Sequence, residues 1–94
     1  MLFAIFCTDK PDSAEVRAAN RPLHLDYVRA VADQVVVAGP TQTDDASAMN
    51  GSLLVMDFAD LATAQSWADN DPYNVAGLFE SVVVRPWKQV FPEA

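Results

Sequence analysis

Four short apolar runs separated by two amphipathic stretches predict an α+β fold for this chain. The runs are Leu2–Thr8, Gln34–Pro40, Gly51–Phe58 and Leu78–Arg85, drawn from β-branched, aromatic and large aliphatic residues. Between the first and second, and again between the third and fourth, apolar residues recur at helical spacing. The order β-α-β-β-α-β is the split-βαβ, ferredoxin-like arrangement: a four-stranded antiparallel sheet with two helices on one face. The 94 residues make one domain, 1–94.

The elements follow from local chemistry. Asp9-Lys10-Pro11-Asp12 is a turn, and Ser13 can cap a short helical turn carrying Glu15 and Arg17. Pro22 suits a first helical position, where its missing N–H costs nothing, so the first long helix is expected over Pro22–Asp33 with Leu25, Val28, Val31 and Ala32 on its apolar stripe. Gly39-Pro40 ends the second strand, and the small polar residues Thr41–Asn50 read as a mobile surface loop. In the third strand Leu53 and Val55 face one way, Leu54 and Met56 the other. Asp60 caps a second helix with a stripe of Leu61, Ala64, Trp67 and Ala68. Pro72 pushes Asp71 toward an extended backbone, so that helix should stop there, and Gly77 closes the turn before the last strand. Pro86–Phe91 reads as an extended tail whose aromatics cover the core or a partner subunit.

Charge and composition exclude several functions. Six Lys and Arg against thirteen Asp and Glu, a net charge of −7, provide no basic stripe for nucleic acid or an anionic membrane surface. One Cys and one His cannot build a typical zinc site, and no cofactor or metal is expected. Cys7, in an apolar run, reads as a small buried hydrophobe. The start of the chain lacks a basic segment and a long apolar stretch, so a soluble, cytoplasmic protein is expected. At 51% hydrophobic residues, so short a chain is expected to hide apolar surface by pairing sheet face against sheet face in a homodimer or higher homo-oligomer.

His24 is the only side chain that titrates near neutrality without special help. Near a helix start, the partial positive charge there would favour a neutral ring able to act as a base. Its carboxylate partner is open from local chemistry. Asp26 projects to another side of the helix, Asp33 lies roughly 13 Å along the axis at ~1.5 Å per residue, and Asp44 and Asp45 are in the loop. Asp71, on the rigid Asp-Pro corner, is the best held. Arg21 can bind an anionic substrate group or pair with a surface carboxylate. Tyr73 can donate to a ligand or cap the core. Gly39 can admit a ligand close to the backbone beside Pro40. Ser52, with no base beside it in sequence, is a weak nucleophile candidate. No phosphate-cradling loop, dinucleotide fingerprint or serine elbow is present.

Taken together, Arg21-Pro22-x-His24-Leu25, Ala38-Gly39-Pro40, Gly51-Ser52, Asp71-Pro72-Tyr73, Ala76-Gly77 and Val84-x-Pro86-Trp87-Lys88-x-Val90-Phe91 resemble the YciI-like (YCII-related) family along essentially the whole chain. The resemblance implies small ferredoxin-like dimers of the dimeric α/β-barrel type, with a His–Asp pair that maps to His24 and Asp71. One branch of that family is a dehydrochlorinase of a chlorinated hydroxyquinol, and fold neighbours include muconolactone isomerase. The approach to Ala38-Gly39-Pro40 and the loop after it are shorter here than in some relatives, so substrate identity does not transfer.

Two functions follow. One is a cofactor-independent lyase or isomerase acting on a small cyclic or aromatic oxygenated metabolite. His24 and Asp71 would be catalytic, and Arg21, Tyr73, Gly39, Pro40 and Ser52 would bind substrate. The other is a non-catalytic dimeric module that binds a small molecule or serves a larger enzyme. A monooxygenase-like role has no further signature.

Overall fold

The computed structural model describes residues 1–93. Its elements are β1 (Leu2–Asp9), α1 (Ala14–Arg29), a 3₁₀ turn (Ala32–Gln34), β2 (Val35–Gln42), β3 (Met49–Asp57), α2 (Leu61–Asp69), α3 (Pro72–Val75) and β4 (Phe79–Trp87). The strands form one antiparallel sheet in the order β2-β3-β1-β4, as the split-βαβ pattern requires.

Strand alternation builds the core. Phe3, Ile5 and Cys7 of β1 and Leu54 and Met56 of β3 point to the helical side, where Ala64 and Ala68 of α2, Tyr73 of α3 and Leu78 close over them. Asp60 caps α2 as expected, accepting from the Thr63 amide at 2.8 Å. Gly77, at φ 77°, takes the left-handed conformation that ends α3.

The first helix departs from expectation. Instead of a short turn followed by a helix starting at Pro22, one continuous helix runs through Pro22 from Ala14 to Arg29. An interior proline removes one backbone hydrogen bond and costs about 3 kcal/mol in an isolated helix. Here the helix is held on both sides of the break, by Arg17 bonded to Asp9 and by Val28 packed on the core. Tertiary anchoring outweighs the local signal. Ser13 stands at the N-cap, but its hydroxyl donates to the Pro11 carbonyl instead of accepting from the helix.

The polar stretch after β2 is also more built than a loose loop. β2 extends to Gln42 and β3 begins at Met49, and Asp45 accepts from the Thr43 and Ser47 hydroxyls, both at 2.7 Å. These bonds, Ser47 first, hold the Asp45 carboxyl down at about 2.

Candidate active site

α3 is a single turn, and its first residues carry the site. Proline at position 72 holds Asp71 extended, at φ −56° and ψ 130°. That places the Asp71 carboxylate at the N-cap, where Oδ1 accepts from the Tyr73 amide at 2.9 Å. The same carboxylate reaches α1. His24 Nδ1 lies 3.0 Å from each Asp71 oxygen, with both side chains largely shielded from solvent. The corner anticipated from Asp-Pro thus meets the lone histidine 47 residues away.

His24 is held on a second side. Its ring stacks on Tyr73, centroids 4.1 Å apart and planes 16° apart. One short helix therefore supplies both the edge and the face contact to the imidazole. With Asp71 as acceptor at Nδ1, the assigned tautomer carries its proton there and leaves Nε2 as the basic nitrogen. Because α1 starts at Ala14, His24 lies well inside the helix. The first turn, where the partial charge of the helix start acts, is therefore not where His24 stands.

His24, Arg21, Tyr73, Gly39, Pro40 and Ser52 all border one cavity of about 330 Å³, and Asp71 stands behind His24. Register pairs Pro40 with Ser52 and Gly39 with Leu53, so Pro40 faces the cavity while Gly39 borders it through its backbone. A side chain at position 39 would meet no atom of the chain within 4 Å. Arg21 has no carboxylate within ion-pair distance among the described residues. It is the uncompensated cation of the cavity in a strongly acidic chain. Burial pushes the Tyr73 phenol up, with Arg17 and Arg21 partly offsetting it, so the hydroxyl stays a neutral donor.

Two further residues were not singled out from the sequence. Arg17 forms a paired contact with Asp9, Nε to Oδ2 at 2.8 Å and Nη2 to Oδ1 at 2.9 Å. Its Nη2 also donates to the Gly51 carbonyl at 2.9 Å and to Ser52 Oγ at 3.1 Å, and its guanidinium lies 4.6 Å from the Tyr73 ring centre. Burial alone would lower the Arg17 pKa, but the Asp9 hydrogen bonds and charge outweigh it and hold the pKa above its ordinary value. Arg17, Arg21 and His24 lie four and three residues apart, one face of a continuous helix. That spacing is a sequence signal, but it spans Pro22 and becomes one face only because the helix continues through the proline.

Cys7 lies beneath this region and is buried, as its apolar surroundings implied. Burial first, then the Asp71 charge, pushes its thiol up to about 12, so it is no nucleophile at neutral pH. Among the described residues no group of three or more His, Cys, Asp or Glu is placed to hold a metal ion. No helix of the described residues is long and apolar enough to cross a membrane.

Fold and site together define a small α+β protein with a histidine–carboxylate pair at the wall of one cavity. The chain belongs to the YCII-related domain family, whose model matches residues 1–88. It is 41% identical to the protein YciI of Escherichia coli over 98 aligned residues, covering 97% of this chain and all of that one. Among solved structures it resembles 5-chloro-2-hydroxyhydroquinone dehydrochlorinase (TftG) from Burkholderia phenoliruptrix, solved in complex with 2,5-dihydroxybenzoquinone. There the identity is 39%, the TM-score 0.86 and the coverage 94% of both chains. SnoaB, a cofactor-independent oxygenase from Streptomyces nogalater, shares the fold alone, at 13% identity and TM-score 0.55 over 98% of this chain and 96% of its own.

Proposed function

We propose that this protein is a small enzyme performing acid–base chemistry of the lyase or isomerase type on a small oxygenated ring. The observation that carries the reading is the contact of His24 Nδ1 with both Asp71 oxygens at 3.0 Å, at the wall of a cavity sized for such a ligand. His24 Nε2 takes a proton from a carbon or hydroxyl of the substrate. The electron pair left behind then expels a leaving group or captures a proton at another atom. Asp71 orients the ring and balances the imidazolium that forms. Arg21, unpaired, attracts an anionic oxygen of the substrate, Tyr73 and Ser52 offer hydroxyls, and Pro40 and Gly39 complete the lining. The activity and bound ligand of the 39%-identical dehydrochlorinase support the choice of a hydroxylated ring.

The test uses 5-chloro-2-hydroxyhydroquinone, with chloride release as the readout. The native protein is expected to turn over, and His24→Ala to lose about 10²–10⁴-fold, the usual worth of a placed acid or base. Full activity in His24→Ala contradicts the role of His24, and ligand binding with no turnover in the native protein contradicts the enzyme reading and favours a binding module.

The assembly we propose is a homodimer through the sheet face opposite the helices. In register, Phe6 sits between Leu53 and Val83, and these three are 47, 42 and 40% exposed. A row of large apolar side chains across the middle of a sheet is costly to leave in water.

A further inference from the structure

Ser52 lies on β3 on the helical side of the sheet, 4% exposed, and borders the same cavity as His24. Its Oγ accepts from Arg17 Nη2 at 3.1 Å. A guanidinium carries only donors, so it cannot receive the serine's own proton. Among the described residues that hydroxyl makes one side-chain hydrogen bond, the one it accepts from Arg17. A buried hydroxyl that accepts from a guanidinium and donates to no group of the chain is an incomplete hydrogen-bonding group. Leaving it so is costly unless something in the cavity accepts.

We propose that Ser52 is a specificity-determining donor, its O–H bonding an acceptor oxygen of the substrate: a carbonyl, enolate or carboxylate oxygen. The proposal rests on the acid–base reading of the cavity given above. Arg17 is the positioning residue. Its two bonds to Asp9 and its bond to the Gly51 carbonyl fix the guanidinium before any ligand arrives, so Ser52 Oγ meets a charged donor at all times. That contact polarises the hydroxyl and makes it a stronger donor outward. The glycine beside it is required by closeness. A side chain at position 51 would collide with the Cys7 carbonyl on β1. The preferred substrate therefore carries both an acceptor oxygen for Ser52 and a labile proton for His24.

The test is an absorbance titration with 2,5-dihydroxybenzoquinone against the native protein, Ser52→Ala and Ser52→Cys, with thermal unfolding recorded for each. The native protein is expected to bind and Ser52→Ala to lose about tenfold or more, the worth of a hydrogen bond to a charged acceptor. Ser52→Cys should fall between, because a thiol is a weak donor. Ser52→Ala leaves Arg17 bonded to Asp9 and Gly51, so the fold should persist. If it does not, the cysteine variant decides by the same criterion. Native binding with alanine and cysteine variants within twofold overturns the role of Ser52 and leaves the acid–base reading standing. Failure of the native protein to bind overturns both. Arg17→Lys should weaken binding in the native background but not in the Ser52→Ala background. Equal weakening in both would mean that Arg17 serves only the fold.

Discussion

The His24 imidazole stacks on Tyr73, 4.1 Å between ring centres, while its Nδ1 is held by Asp71, two residues before that tyrosine. Both contacts come from the start of α3, so His24 and the core share a support. Tyr73 is 2% exposed and packs edge-on against Phe79 at 5.9 Å. Tyr73→Ala should therefore cost about 3–5 kcal/mol in urea unfolding, the range for deleting a buried aromatic ring. Tyr73→Phe, which keeps the ring, should cost about 1 kcal/mol.

Arg17 and Asp9 form a shielded pair, with side chains 10 and 7% exposed. Removing one partner of a buried pair strands the other, so Arg17→Ala should destabilise by about 3–5 kcal/mol. The exposed Arg29–Asp26 pair, at 3.3 Å and more than two-thirds in solvent, is the control. Arg29→Ala should stay within about 1 kcal/mol of native in the same denaturant titration.

Cys7 makes the alkaline limb of stability testable. Its folded thiol ionises at about 12 against an ordinary 9.0. A raised folded pKa means the unfolded chain loses its proton first. The contribution is fully present below pH 9.0 and is lost as pH rises toward 12. Cys7→Ala should flatten that fall without abolishing it, since Tyr27 and Tyr73 are raised as well. Iodoacetamide at neutral pH should leave native Cys7 unmodified and label it in denaturant.

The sheet-face dimer predicts sedimentation at twice the 10.2 kDa chain mass. Phe6→Glu with Leu53→Glu should convert it to a folded monomer, since both positions are solvent-facing within one chain. A native protein that sediments as a monomer at micromolar concentration contradicts the homodimer.

Much of this architecture was legible because it is written in short-range chemistry. Alternation in Leu53–Met56 separates the inner from the outer sheet face, Asp60 marks the start of α2, and Pro72 dictates the backbone of Asp71. The pairing of His24 with Asp71 was one option among several carboxylates, because local sequence does not say which ends of α1 and α3 meet. The chain-long resemblance narrowed that choice. Arg17 and Asp9 went unread for a different reason. Pro22 is a strong local break, and only packing on both sides carries α1 across it, so the face shared by Arg17, Arg21 and His24 never came into view. The tie between Arg17 and Ser52 spans 35 residues and depends on the sheet register, which no local pattern encodes.

The central claim is that His24 and Asp71 act as one unit, and kcat/KM for chloride release from 5-chloro-2-hydroxyhydroquinone across His24→Ala, Asp71→Asn and the double variant tests it most directly. Asp71→Asn alone is expected to lose about 10²–10⁴-fold, because an amide no longer holds the productive tautomer. The double variant is expected to be no worse than His24→Ala. Native kcat/KM in Asp71→Asn, or losses that multiply in the double variant, would contradict the account.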